Sequence, residues 1–176
     1  LNAINTVLSD LSGMSLDFTY ENSVITINGE EHEFHGDPRT SLLNALRDTF
    51  RLTGGKATCS EGFCGACTVH IGGELAVGCL KAIGTLEGKQ ITTIEGIGNH
   101  SKLNHVQQAF EDHDVVQCGM CFPGMVMTFT HLLEKNTNPS REEVRSAMSG
   151  NICRCTGYER IIDAIMSIKA DGGQLE

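Results

Sequence analysis

The sequence predicts an α+β fold in two parts: a β-rich half with one helix, then a four-helix bundle. Three observations predict it. Apolar residues come in short, β-branched runs up to about residue 94 and at helical spacing after it. Two hairpin signals, Asn28-Gly29 and Gly72-Gly73, both fall in the first half. The eight cysteines form two sets of four, Cys59, Cys64, Cys67 and Cys79 in the first half, and Cys118, Cys121, Cys153 and Cys155 in the second.

Taken in order, residues 1–20 read as an extension, with a short helix over Ala3–Leu11 and a strand over Leu16–Tyr20. Val24-Ile25-Thr26-Ile27 is a strand, Asn28-Gly29 turns it, and Glu31–His35 returns. Thr40 or Ser41 caps a helix carrying Leu42, Leu43, Leu46 and Phe50 at helical spacing. Gly54–Gly65 is a loop rich in Gly and Cys. Ala66–Ile71 and Glu74–Cys79 form the second hairpin, and Gln90–Ile94 is the last strand.

Beyond the Gly96–Asn99 boundary, Leu103, Val106, Gln107 and Phe110 mark a helix. Pro123 suits the first turn of the next, where its missing N–H is not needed, and Met125, Phe129, Leu132 and Leu133 share a face of it. Ser140 with Glu143 is a capping box that opens a third helix running through Met148, stopped by Gly150. Ile161, Ile162, Ile165 and Ile168 mark a fourth. The expected divisions are therefore an extension (1–20), a β-rich domain (21–97) and a helical domain (98–176).

At 176 residues, two small domains would each have a thin core that a metal could staple. With a net charge of −9, 5% aromatic residues and no Trp, the chain is a poor match for nucleic acid or an anionic lipid surface. No apolar run reaches membrane-spanning length, and no signal peptide is visible from Leu1 to Leu11. Eight cysteines without such a signal are expected to be metal ligands in a reducing compartment, the cytoplasm, rather than disulfides. Cys153 and Cys155 are also too close in sequence to pair easily with each other.

The first set reads C-x4-C-x2-C followed by a distant Cys, which is the plant-type [2Fe–2S] spacing. An anionic cluster needs a loop that wraps closely and turns its N–H groups inward, and Gly62 and Gly65 permit that. A structural zinc site would more usually show two short knuckles. The second set, C-x2-C then C-x-C, is less specific, and on spacing alone a zinc site remains open. Its cysteines are expected in turns beside helix starts, where N–H groups and the positive dipole end favour an anion. Neither set leaves an open position for substrate, so two clusters imply electron relay.

Cys59-Ser-Glu-Gly-Phe-Cys64-Gly-Ala-Cys67-Thr-Val, Gln117-Cys-Gly-Met-Cys-Phe-Pro-Gly124 and Gly150-Asn-Ile-Cys-Arg-Cys-Thr-Gly-Tyr158 together resemble the two cluster motifs of the xanthine dehydrogenase family of molybdenum hydroxylases. The match in order and spacing runs over residues 22–168, and the chain resembles the small iron–sulfur subunit of the bacterial three-subunit enzymes. The resemblance implies a plant-ferredoxin-like β-grasp domain ahead of the helical one. It implies two [2Fe–2S] clusters held by the eight cysteines. Electrons would pass from a molybdenum–pterin centre in a large subunit to FAD in a medium subunit. The helical-domain cluster would lie beside the pterin and the other nearer the flavin. Gln117 matches the residue whose amide contacts the pterin, which suits a side chain that both donates and accepts. Cys155 matches the ligand whose sulfur is hydrogen-bonded by the pterin amine. Thr58, Met120 and Phe122 depart from the family's usual residues and are expected to tune packing and potential rather than ligation. The alternative is a free-standing soluble two-cluster carrier of the ferredoxin type.

The remaining residues have ordinary readings. His105, His113 and His131 fall on helices at no ligand spacing, and Met125 and Met127 fill core. Glu142-Glu143 suits a helix start. Arg154, between two cysteines, either offsets cluster charge or is solvated.

Overall fold

A computed structural model describes residues 23–98 and 101–170. The helix and strand expected within residues 1–20 lie outside the described residues. Strands β1 (Ser23–Ile27) and β2 (Glu30–Phe34) form the first hairpin. Its turn residues Asn28 and Gly29 both take positive φ, 52° and 88°, as a type I′ turn requires. Strands β3 (Thr68–Ile71) and β4 (Glu74–Val77) form the second hairpin around Gly72-Gly73, also both at positive φ. Strand β5 (Gln90–Thr92) joins them, parallel to β1 and antiparallel to β3. The sheet order is β2-β1-β5-β3-β4.

Helix α1 (Leu42–Asn44) starts where expected, with the Ser41 hydroxyl accepting the Asn44 N–H. It does not continue as an α-helix. Ala45–Thr49 widens into a π-turn closed by Phe50 N–H on the Ala45 carbonyl at 3.1 Å. The widened turn sets Phe50 against Phe34 and His32, with ring centroids 6.3 and 5.2 Å apart. Ile25, Ile27, Leu42, Leu46, Val69, Ile83 and Ile91 fill the core beneath the sheet. Each large apolar side chain buried there stabilises the fold by about 1.5–3 kcal/mol.

The second half contains α2 (His105–Asp112), α3 (Phe122–Lys135), α4 (Arg141–Ala147) and α5 (Glu159–Ala170). Leu103 lies ahead of α2 rather than on it. Asn104 and Gln107 make a reciprocal capping box, so Gln107 serves the helix start and not its apolar face. The Ser140–Glu143 box opens α4 as expected, but Met148–Gly150 tightens into a 3-10 turn. Val106, Phe110, Met125, Phe129, Leu133, Val144, Ile161, Ile162 and Ile165 form this half's core.

Helix α3 is two-sided, which its apolar spacing did not reveal. Met125, Val126 and Phe129 face the helical core, while its other side meets the sheet. There buried His70 on β3 makes a 2.9 Å hydrogen bond through Nε2 to the Met127 carbonyl. At the edge of the same seam, Lys135 donates to Glu74 at 2.9 Å. Among the described residues, no helix is long and apolar enough to cross a membrane.

Candidate metal centres

Three of the first set, Cys59, Cys64 and Cys67, are carried by the loop between α1 and β3. Gly62 and Gly65 take φ of 82° and 66°. A Cβ at Gly65 would meet the Gly150 carbonyl at 2.4 Å, so only glycine lets this loop lie against the second half. Cys59 is half-buried, and Cys64 and Cys67 are buried. Cys79 is not on a strand, as the hairpin suggested. It lies on a 3-10 turn, Gly78–Leu80, just after β4. The Gly78 N–H donates to the Cys67 carbonyl at 3.0 Å and so brings Cys79 beside Cys67.

The second set comes from two turns. Cys121 is the N-cap of α3, with Pro123 in the first turn, and Cys118 precedes it in the same bend. Cys153 and Cys155 lie in the turn between the Met148–Gly150 segment and α5. Cys153 is buried, whereas Cys118 and Cys155 are exposed.

The eight thiols fall into four neighbouring pairs: Cys59 with Cys64, Cys67 with Cys79, Cys118 with Cys155, and Cys121 with Cys153. The Cys118 and Cys155 sulfurs are 3.5 Å apart. Among the described residues, no three His, Cys, Asp or Glu side chains group so as to hold one metal ion. A structural zinc site needs four donors converging on one point, each about 2.3 Å away for sulfur. Two pairs per site is instead the donor arrangement that two irons sharing bridging sulfides would use. The donor set therefore fits two [2Fe–2S] clusters.

The loops also bias the thiols. The Glu61 N–H, 3.4 Å from Cys59 Sγ, leads in lowering that thiol to about 6. The Met120 N–H likewise leads in lowering Cys118. Burial pushes Cys67 up to about 11 and Cys121 up to about 12. Metal binding must therefore displace the protons held on Cys67 and Cys121.

The two sites are packed together. A Cβ on Gly124, in the first turn of α3, would meet the Gly65 carbonyl at 2.0 Å. Buried Asn151 bridges the contact: Nδ2 donates to the Gly65 carbonyl at 3.3 Å and Oδ1 accepts the Thr128 hydroxyl at 2.9 Å. A cleft of about 160 Å³ between the sites is lined by Cys64, Cys118, Cys153 and Arg154. Arg154 is exposed there, where its charge can offset that of both sites. Gln117 is exposed beside Cys118. Thr58 and Met120 line the same cleft, and Phe122 packs on Phe110 with centroids 5.7 Å apart. His131 is largely buried, its ring 5.5 Å from that of His70. The spacing arguments gave no role to Asn151, Thr156 and Tyr158, although all three stand within the Gly150–Tyr158 motif. Their placement depends on contacts across the fold and on a Tyr158 φ of 69°, which spacing does not disclose.

Comparisons with known proteins agree with this geometry. Residues 25–91 match the family described as a 2Fe-2S iron-sulfur cluster binding domain, and residues 93–166 match the [2Fe-2S] binding domain family. The chain is 44% identical over 141 residues to the nicotinate dehydrogenase small FeS subunit of Eubacterium barkeri, covering 80% of this chain and 90% of that one. It is 43% identical over 147 residues to caffeine dehydrogenase subunit gamma of Pseudomonas sp. (strain CBB1), covering 82% and 88%. Quinoline 2-oxidoreductase from Pseudomonas putida 86 superposes with a TM-score of 0.82 at 45% identity, covering 86% of this chain and 94% of that one. Fold and thiol sites thus define an iron–sulfur electron-transfer protein with two [2Fe–2S] domains. The chain belongs to the small iron–sulfur subunits of the molybdenum hydroxylases, the xanthine dehydrogenase family.

Proposed function

We propose that this subunit carries electrons from a molybdenum–pterin centre in a large partner subunit to FAD in a medium one, entering at the helical-domain site and leaving from the ferredoxin-like site. Cys118, Cys121, Cys153 and Cys155 hold the entry cluster, and Cys59, Cys64, Cys67 and Cys79 hold the exit cluster. When bound, each cluster supplies a one-electron couple. The observation that carries the direction is exposure: Gln117, Cys118 and Cys155 are together at the surface, while Cys153 is buried and Cys121 half-buried. An exposed amide beside an exposed ligand sulfur can meet a donor and acceptor edge such as a pterin's. Gln117 would bind that edge, and Cys155 Sγ would accept a hydrogen bond from its amine.

We assign the ferredoxin-like β-grasp domain to residues 21–97 and the helical domain, read as a four-helix bundle, to residues 98–176. Separate cores and the two family matches support that division. Eight cysteines kept as thiols favour a reducing compartment, and we assign the cytoplasm. The test is purification with partner subunits. Molybdenum and flavin should co-purify, the protein should absorb in the visible and bleach with dithionite, and the reduced state should give two distinct electron paramagnetic resonance signals. A colourless protein, or one signal integrating to one spin, would overturn the two-cluster reading. A coloured protein without molybdenum or flavin would favour the free-standing carrier.

A further inference from the structure

The turn that carries Cys153 and Cys155 is closed on itself in a way that ligation alone does not require. Gly157 and Tyr158 both take left-handed backbone, with φ of 68° and 69°. Tyr158 has no glycine's freedom, so neighbouring contacts must hold it there. Two do. The Tyr158 hydroxyl accepts the Cys153 N–H at 3.0 Å, and the Tyr158 N–H donates to Thr156 Oγ1 at 3.2 Å. The second contact matters because of what it leaves over. A threonine hydroxyl has one hydrogen and two lone pairs. With the Tyr158 N–H on an oxygen lone pair, the hydroxyl hydrogen is left to point elsewhere.

Thr156 Oγ1 lies 3.0 Å from Cys153 Sγ. A cysteine bound to iron is a thiolate and has no proton to give, so in the ligated state the hydroxyl is the donor. The sulfur it meets is buried, where an electrostatic contact is least screened by water. At Cys59 and Cys118 the leading donors are backbone N–H groups, of Glu61 and Met120, which only a proline would remove. At Cys153 a side chain is the leading donor, ahead of the Thr156 and Cys155 N–H groups, and it can be changed.

We propose that Thr156 sets the reduction potential of the helical-domain cluster by donating its hydroxyl hydrogen to the Cys153 sulfur. The inference rests on the reading of Cys153 as a ligand. A hydrogen bond to a ligand sulfur draws charge from the cluster and favours the more negative, reduced state, so it raises the potential. Thr156 is a positioning and tuning residue and does not touch substrate. Tyr158 orients it by occupying the oxygen from behind.

The experiment is a potentiometric titration of the assembled enzyme, followed by the two electron paramagnetic resonance signals, in the unaltered protein and in Thr156→Val, Thr156→Ala and Thr156→Ser. The ferredoxin-like cluster serves as internal reference. Thr156→Val is expected to lower the reduced-to-oxidised ratio of the helical-domain cluster about tenfold at fixed ambient potential, which is a fall of about 59 mV for one electron. The other signal should not move, and Thr156→Ser should restore the ratio. Both signals present with the ratio unchanged in Thr156→Val would overturn the proposal while leaving the ligand reading intact. If Thr156→Val loses iron, Thr156→Ala against Thr156→Ser decides, and equal potentials in those two overturn it. Loss of the cluster in both Val and Ala variants also overturns it, because Thr156 would then be structural. Absence of a second signal from the unaltered protein would instead remove the ligand reading itself.

Discussion

The backbone N–H of Ile152 donates to the carbonyl of Cys64 at 2.9 Å. Cys64 belongs to the first thiol set, and Ile152 precedes Cys153 of the second. One hydrogen bond therefore connects the two sets through backbone alone, without crossing solvent or a loosely held side chain. Two redox sites joined this way keep a fixed separation, which a relay needs if transfer between them is to be reproducible. The contact exists because Gly65 has no Cβ to hold its loop away from the Gly150–Asn151 backbone.

That closeness predicts the behaviour of Gly124. Its Cβ would lie 2.0 Å from the Gly65 carbonyl, a backbone atom that cannot swing away. Gly124→Ala should therefore destabilise the protein by about 3 kcal/mol, the upper end of ordinary overpacking, and lower the iron content of both sites. Gly150→Ala is the matched comparison, since a Cβ there meets nothing within 4 Å. Thermal denaturation and iron analysis of the two variants check this, and equal stability would show that the seam can open freely.

Asn151 should behave as a buried polar bridge. It is 5% exposed, and its amide satisfies both the Gly65 carbonyl and the Thr128 hydroxyl. Asn151→Leu would leave the Thr128 hydroxyl buried without its acceptor, at a cost of about 1–3 kcal/mol, while the Gly65 carbonyl keeps the Thr68 N–H and hydroxyl. The expected result is a lower denaturation midpoint, together with an altered magnetic interaction between the two reduced clusters. Asn151→Leu combined with Thr128→Val should recover part of the lost stability, because the orphaned hydroxyl is then gone.

The sheet–helix seam predicts sensitivity to acid. Burial holds the His131 imidazole below its usual value, and His70 on β3, Glu74 on β4, and Glu134 and Lys135 on α3 all act on it. A depressed histidine binds fewer protons folded than unfolded, so its contribution is present above 6.5 and is lost as pH falls below that value. Glu74, held low chiefly by its hydrogen bond from Lys135, adds a loss of the same sign at lower pH. Urea denaturation at pH 7 and pH 5 in low salt should show a smaller loss of stability for His131→Gln than for the unaltered protein. Equal losses in the two would exclude His131 as a source of the slope.

What the sequence disclosed and what it withheld divide along physical lines. The Asn28-Gly29 turn, the Ser140–Glu143 box and Pro123 at the start of α3 are local devices, fully determined by neighbours in the chain, and they stand where expected. The grouping of the cysteines was legible in their spacing, and the fold brings the members of each group together. The π-turn at Ala45–Thr49 was not, since it follows from how Phe50 meets Phe34 and His32. Nor was the second buried side of α3. Gly124, Thr128 and His131 are small or polar and read as a solvent face until the sheet is laid against them. The pairing of thiols likewise appears only when the chain returns on itself.

Cys155 offers the sharpest test of the relay. It is exposed, and its neighbour Cys118 is exposed as well, so removing its sulfur disturbs neither core nor the Gly65–Asn151 contact. Cys155→Ala should therefore take away the helical-domain cluster and half of the iron, while the ferredoxin-like cluster keeps its signal. If electrons enter through that site, the assembled variant should still be reduced by substrate at its molybdenum centre but should pass almost nothing to the flavin, lowering steady-state turnover at least about a hundredfold, as loss of about 2.7 kcal/mol or more of barrier reduction would. Rapid-mixing measurements that follow flavin reduction directly separate this from a loss of substrate chemistry. Half the iron with unchanged turnover would mean that the electrons bypass Cys155 and enter this subunit, if they do, beside the Cys59–Cys79 loop.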